Sequence, residues 1–287
     1  MPHLFQCWSQ IAERLSFSPL IALFLDFDGT LARIKPRPSQ VSLEHSAREA
    51  LRTLARSPRF RIWVVSGRRR ADVRARVAVA GIEYLGLHGW ETSSKARLNP
   101  ETARALAWAG GWMRALVAGS PHVWVEDKDH ALTVHYRGAP EAEALCARRT
   151  IREIVASVGG GLQVRRGKCC SEVLPAALAD KGAAVKRLMA PLRGRALPIY
   201  VGDDRNDEPA FAALTDGVTV RVGAACLTHA RYHLSGAGEV REFLQRMAHV
   251  APGFRPAAGL CPALGCGSAA LRLCESIYRP SRNSSSG

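Results

Sequence analysis

Two aspartates, Asp26 and Asp28, stand one residue apart between the apolar run Ile21-Ala22-Leu23-Phe24-Leu25 and the pair Gly29-Thr30. On an extended backbone, side chains two positions apart point the same way, so both carboxylates face one spot while Phe27 turns back to pack. Like charges held together stay ionised only beside a cation, and a small hard ion such as Mg2+ takes oxygen donors of this kind. The chemistry this suits is attack by a carboxylate on phosphorus, with Asp26 forming an aspartyl-phosphate and Asp28 acting as acid and base. Gly29 permits a tight turn, and Thr30 offers a hydroxyl and an N–H to an anion.

Three later segments read as parts of the same site. Ser66-Gly67-Arg68 follows the apolar Arg61–Val65 stretch. A small hydroxyl and glycine at a strand end, just before a helix, suit a phosphate oxygen. Lys181 falls in the first turn of a helix that Asp180 caps, where a cation opposes the helix dipole. A phosphate and the Asp26 carboxylate are expected to offset that. The acidic segment Gly202-Asp203-Asp204-Arg205-Asn206-Asp207-Glu208 follows another apolar run and repels itself without a cation. Asp203 is read as a direct metal ligand, and Asp204 and Asp207 as groups that orient water or Lys181 around the ion. The expected metal set is therefore Asp26, Asp28, Asp203, Asp204 and Asp207.

The elements that position these residues follow from apolar periodicity. Helical spacing predicts a leading helix within 1–19 and helices over 42–56, 101–118, 141–158, from 180, and 238–247, with Ser42 as an N-cap. Short apolar runs predict strands at 21–25, 61–65, 83–87, 197–201 and 217–222, the first, second and fourth ending in a functional segment. Ligands of an open parallel sheet gather at such strand ends. Between them, 123–128 and 131–136 read as a hairpin, followed by strands at 162–165 and 171–174. This gives an α/β doubly wound parallel sheet with an inserted α+β cap: core residues 1–97 and 176–250, cap 98–175, and a Pro-, Gly- and Ser-rich tail 251–287 read as poorly ordered.

The stretch DFDGTL resembles the signature of the haloacid dehalogenase superfamily of Asp-dependent phosphatases. VEDKDHALTVHYR, GKCCSEVLP, His88-Gly89-Trp90-Glu91 and GDDRNDEPAF narrow the resemblance to the trehalose-6-phosphate phosphatase family. The resemblance implies Mg2+ held by Asp26, Asp203 and the Asp28 backbone carbonyl, with Lys181 as the catalytic lysine. It also implies sugar recognition by Glu126, Lys128 and Glu172, which on spacing alone read better as a solvated ion-paired face. His88 is read as structural. Asn206 stands where the family usually has threonine, which loosens the tie to trehalose 6-phosphate; sucrose 6-phosphate, mannosyl-3-phosphoglycerate and a phosphosugar mutase reaction are the alternatives.

Composition narrows the partners. The chain has 287 residues, 47% of them hydrophobic, and a net charge of +15, which raises a basic nucleic-acid-binding protein as the non-enzymatic alternative. The arginines are scattered, however, and the tight run Arg68-Arg69-Arg70 flanks the phosphate-loop segment. A small sugar phosphate is the expected partner, with no nucleic acid and no membrane, and the sequence leaves the oligomeric state open. Eight cysteines contain no C-x-x-C pair, and no secretory pattern precedes Asp26, so reduced thiols in a cytoplasmic protein are expected.

Overall fold

The structure, a computed structural model, describes residues 1–92, 97–167, 169–176, 180–224 and 227–250. The tail read as poorly ordered lies outside the described residues. Numbered along the chain, strands β1 (Leu20–Leu25), β2 (Phe60–Val65), β3 (Ile82–Leu85), β8 (Ala196–Gly202), β9 (Val218–Val222) and β10 (Tyr232–Leu234) form a parallel sheet in the order β10-β9-β8-β1-β2-β3.

β1 is central and covered on both faces, which is why it reads as an unbroken apolar run. Ile21, Leu23 and Leu25 pack with α1 (Trp8–Phe17), α2 (His45–Arg56), α3 (Arg70–Val77) and α8 (Ala237–Val250). Ala22 and Phe24 pack with α6 (Lys181–Met189) and α7 (Glu208–Ala213) on the opposite face. There Phe24 stacks on Trp63 at 4.8 Å and lies 6.4 Å from Tyr200, an aromatic layer within β2-β1-β8. Such pairs add about 0.5–1.5 kcal/mol each beyond their buried area.

Between β3 and β8 the chain builds the cap. Strands β4 (Trp124–Asp127), β5 (Leu132–His135), β6 (Leu162–Gly167) and β7 (Cys170–Pro175) form an antiparallel sheet in the order β4-β5-β7-β6. Helices α4 (Pro100–Val117) and α5 (Glu141–Val158) cover one face, burying Met113 and Ile151 against Leu132, Val134 and Val173. The alternate residues Glu126, Thr133 and Glu172 occupy the other face.

Two local expectations are corrected. The helix expected from Ser42 begins at His45, with Glu44 at its N-cap and no side-chain cap bond. Val41 and Leu43 are both buried, and the chain stays out of helix until Glu44, leaving Ser42 outside it. α4 runs unbroken through Gly110-Gly111, and a Cβ on Gly110 would come 3.3 Å from Leu132, so the bare backbone lets the helix sit close to β5. The third strand stops at Leu85, since Leu87–Gly89 winds into a 3-10 turn with Leu87 and His88 at positive φ. No helix among the described residues is long and apolar enough to cross a membrane.

Candidate active site

At the C-terminal end of β1 the backbone N–H of Asp26 donates to Val201 O on β8, which fixes where the carboxylate emerges. The chain then turns back through Phe27–Ala32, closed by Gly29 N to Ala32 O and Ala32 N to Phe27 O. Gly29 has φ +89°, and a Cβ there would lie 2.1 Å from Asp203 Oδ2. Only glycine lets the first loop approach the acidic loop after β8 this closely.

Asp26, Asp203 and Asp207 converge, each offering a carboxylate oxygen within 4.8 Å of the others, and all three are buried. Lys181 projects from the start of α6 between two of them, its Nζ donating to Asp26 Oδ1 at 2.6 Å and to Asp207 Oδ1 at 2.7 Å. The Tyr200 hydroxyl donates to the same Asp207 oxygen at 2.7 Å, and the Asp204 backbone N–H donates to Asp207 Oδ2. Burial, with Asp207 and Asp203 nearby, pushes the Asp26 carboxyl well above the usual range against the pull of Lys181. Burial alone would lower the Lys181 ammonium, but Asp207 and Asp26 outweigh it and hold it above its ordinary value. Three clustered carboxylates outnumber the lysine between them, so the site favours a further cation, and an all-oxygen donor set suits a hard divalent ion.

The other two acids expected at the metal, Asp28 and Asp204, border the same cavity, with their carboxylates bonded to other groups. The Asp28 carboxylate turns to Arg68, which grips both its oxygens at 2.7 Å. Arg68 also donates to Asp72 and to Pro38 O. The Asp204 carboxylate accepts from Arg205 N at 2.7 Å and Asn206 Nδ2 at 3.4 Å, closing the turn before α7. Ser66 Oγ accepts the Arg68 N–H at 3.1 Å, and Thr30 Oγ1 is buried with no hydrogen-bond partner.

The three residues expected to contact sugar fall at the junction of cap and core. Glu172 Oε2 bonds His88 Nε2 at 2.6 Å, and Glu172 Oε1 accepts from Lys128 Nζ at 3.1 Å. Lys128 also donates to Gly67 O at 3.0 Å. Burial would raise the Glu172 carboxyl, yet His88 and Lys128 hold it far below the usual range. Burial would lower Lys128, but Glu172 and Glu126 hold it up. Glu126 instead bonds His135 Nε2 at 2.8 Å. A cavity of about 170 Å³ is bounded by Asp26, Asp28, Glu126, Lys128, Lys181 and Asp203, so the cap residues and the acidic cluster share one space.

The sequence profile of the trehalose-phosphatase family matches residues 24–235, from β1 to the loop after β10. The chain belongs to the trehalose-phosphatase family. Within that family, it is 30% identical over 245 residues to the trehalose-6-phosphate phosphatase of Escherichia coli K12, covering 82% of this chain and 89% of that protein. It is also 36% identical over 235 residues to an uncharacterized glycosyl hydrolase of Mycobacterium tuberculosis, covering 75% of this chain and 17% of that much longer protein. The C-terminal domain of the Candida albicans trehalose-6-phosphate phosphatase has the same fold, with TM-score 0.74, 24% identity, and coverage of 87% and 99% of the two chains.

Several residues of this trehalose-phosphatase site went unread in the sequence. Tyr200 lies inside an apolar strand, and nothing nearby marks its hydroxyl as a partner of Asp207. Thr133 and His135 alternate along β5 and so share the face of Glu126, a period-two signal that was there to be used. Arg68 was read for phosphate, whereas its pairing with Asp28 spans a separation of 40 residues.

Proposed function

We propose that the chain is an Mg2+-dependent phosphatase that hydrolyses trehalose 6-phosphate to trehalose and phosphate through an aspartyl-phosphate on Asp26. The observation that carries the reading is the buried Asp26 carboxylate at the end of the central strand, bonded to Lys181 and clustered with Asp203 and Asp207. Asp26 and Asp203 would hold Mg2+, with Asp207 close by. Bound there, the ion would neutralise oxygens of the transferring group and keep Asp26 ionised.

The protein's own groups supply the rest. Asp26 attacks phosphorus, and Lys181 moves its charge toward the phosphoryl oxygens as the Asp26 carboxylate is consumed. The Ser66-Gly67 turn borders the cavity where those oxygens would sit. Asp28, entering the step as the carboxylic acid after taking a proton from solvent, protonates the leaving sugar oxygen, and the carboxylate so formed takes a proton from the attacking water. Because Arg68 grips both Asp28 oxygens, that transfer needs the pair to loosen as substrate enters. The cap excludes bulk water from the reacting atoms.

Phosphate release with Mg2+ from trehalose 6-phosphate, sucrose 6-phosphate, mannosyl-3-phosphoglycerate and glucose 6-phosphate tests the assignment. Trehalose 6-phosphate is expected to give the highest kcat/KM. Asp26→Asn is expected to abolish release while the fold is retained, and near-normal turnover by that variant would refute the nucleophile.

A further inference from the structure

We infer that the open face of the cap sheet carries two successive carbohydrate subsites, the outer one a stacking platform formed by Trp124 for the hexose farther from the phosphate. The inference rests on the proposed disaccharide phosphate substrate and adds the group that distinguishes it from a monosaccharide phosphate.

The two subsites follow from strand register. Glu126, Thr133 and Glu172 lie side by side across β4, β5 and β7. Thr133 Oγ1 is buried with no hydrogen-bond partner, and Thr133 borders the cavity shared with Asp26 and Lys181. This inner row is polar and holds a hydroxyl still able to bond a sugar. Two residues farther along each strand, about 7 Å away, Trp124, His135 and Cys170 form a second row on the same face. Lys128, bonded to the core at Gly67, lies toward the inner end of β4, so Trp124 lies farther from the core along that strand than Glu126, while His135 and Cys170 still border the catalytic cavity.

The outer row suits a neutral ring. The Trp124 indole stacks on the His135 imidazole with centroids 4.0 Å apart and planes 15° apart. Glu126 holds that imidazole at 2.8 Å, so the platform is fixed before anything binds. Trp124 is still 39% exposed and borders a groove of about 560 Å³ that also touches Pro38, Arg68 and Glu126. The same three residues bound the catalytic cavity, so the two spaces adjoin. The cations Arg68 and Arg76 that line the groove are engaged by Asp72, and both also donate to backbone carbonyls. Arg37 also lines the groove and is exposed, so the preference for a neutral ring rests on the aromatic wall, which offers a flat apolar face to the C–H groups of a hexose.

The test compares Trp124→Ala and Trp124→Phe with the wild type on trehalose 6-phosphate and glucose 6-phosphate. Removing the ring is expected to raise KM for the disaccharide phosphate about tenfold with little change in kcat, and to leave kcat/KM for the monosaccharide phosphate unchanged. Phenylalanine is expected to recover most of the loss. Equal effects on both substrates, or none, would overturn the subsite. A binding readout keeps this separate from the reaction itself. The indole N–H resonance that is lost in Trp124→Phe is expected to shift on titration with trehalose and not with glucose, whether or not any phosphate ester is hydrolysed. An indifferent resonance refutes the platform, whereas a shift without phosphate release refutes the proposed reaction and leaves the platform standing.

Discussion

Replacing Lys181 by methionine tests the electrostatic logic of the site directly. Its Nζ lies 2.6 and 2.7 Å from carboxylate oxygens of Asp26 and Asp207. At an effective dielectric of about 20, each contact is an attraction of about 6 kcal/mol, set against the desolvation of three buried charges. Breaking such a pair from one side leaves the carboxylates facing each other, and the cost in folding stability is about 3–5 kcal/mol. Adding Asp207→Asn removes one of the stranded charges, so the double variant is expected to lose less than the sum of the single losses, by about 1–3 kcal/mol. Turnover does not follow stability: Lys181→Met is expected to lower kcat by about 10³, and the second substitution recovers none of it. Urea denaturation followed by circular dichroism, run with a chelator and again with Mg2+, gives the coupling. Phosphate release under the same conditions gives the rate. A Lys181→Met protein as stable as wild type, strictly additive losses, or restored turnover in the double variant would each refute the reasoning.

Two further outcomes follow. Mg2+ is expected to raise the melting temperature of the wild type and to lose that effect in Asp203→Asn, with chelation abolishing phosphate release; calorimetry with and without the ion measures both. Glu172 is held below its ordinary value of 4.5, so its contribution to stability is complete above about pH 4.5 and is lost as pH falls toward the folded-state value. The urea midpoint of the wild type is expected to exceed that of Glu172→Gln at pH 7 and to converge on it in acid, and a gap that is constant with pH would contradict the ion-paired assignment.

What the sequence made legible is what repeats locally. β1 was readable because burial on both faces produces an unbroken apolar run, and α5 because Ala144, Ala147, Ile151 and Val155 keep a helical stripe over its whole length. The acidic clusters were readable because like charges at strand ends have no other simple use. The three-residue β10 was missed, since a strand that short carries no period. The partner of each charged side chain was also illegible. Asp28 and Asp26 have the same spacing argument, yet Arg68 draws one carboxylate away while Lys181 holds the other, and only the folded chain brings those cations within reach. Lys128 and Glu172 likewise share a face with Glu126, as period two requires, but the nearby core decides that they bond to Gly67 and His88.

With Lys128 and Glu172 assigned to sugar, as the family resemblance implies, that last arrangement makes recognition an exchange reaction. Lys128 and Glu172 already have protein partners, so a hydroxyl that binds either must displace a bond of similar strength. The net affinity contributed by these two residues is then a small difference between large terms. Weakening the internal partner, for example by altering His88, is then expected to change how tightly sugar is held.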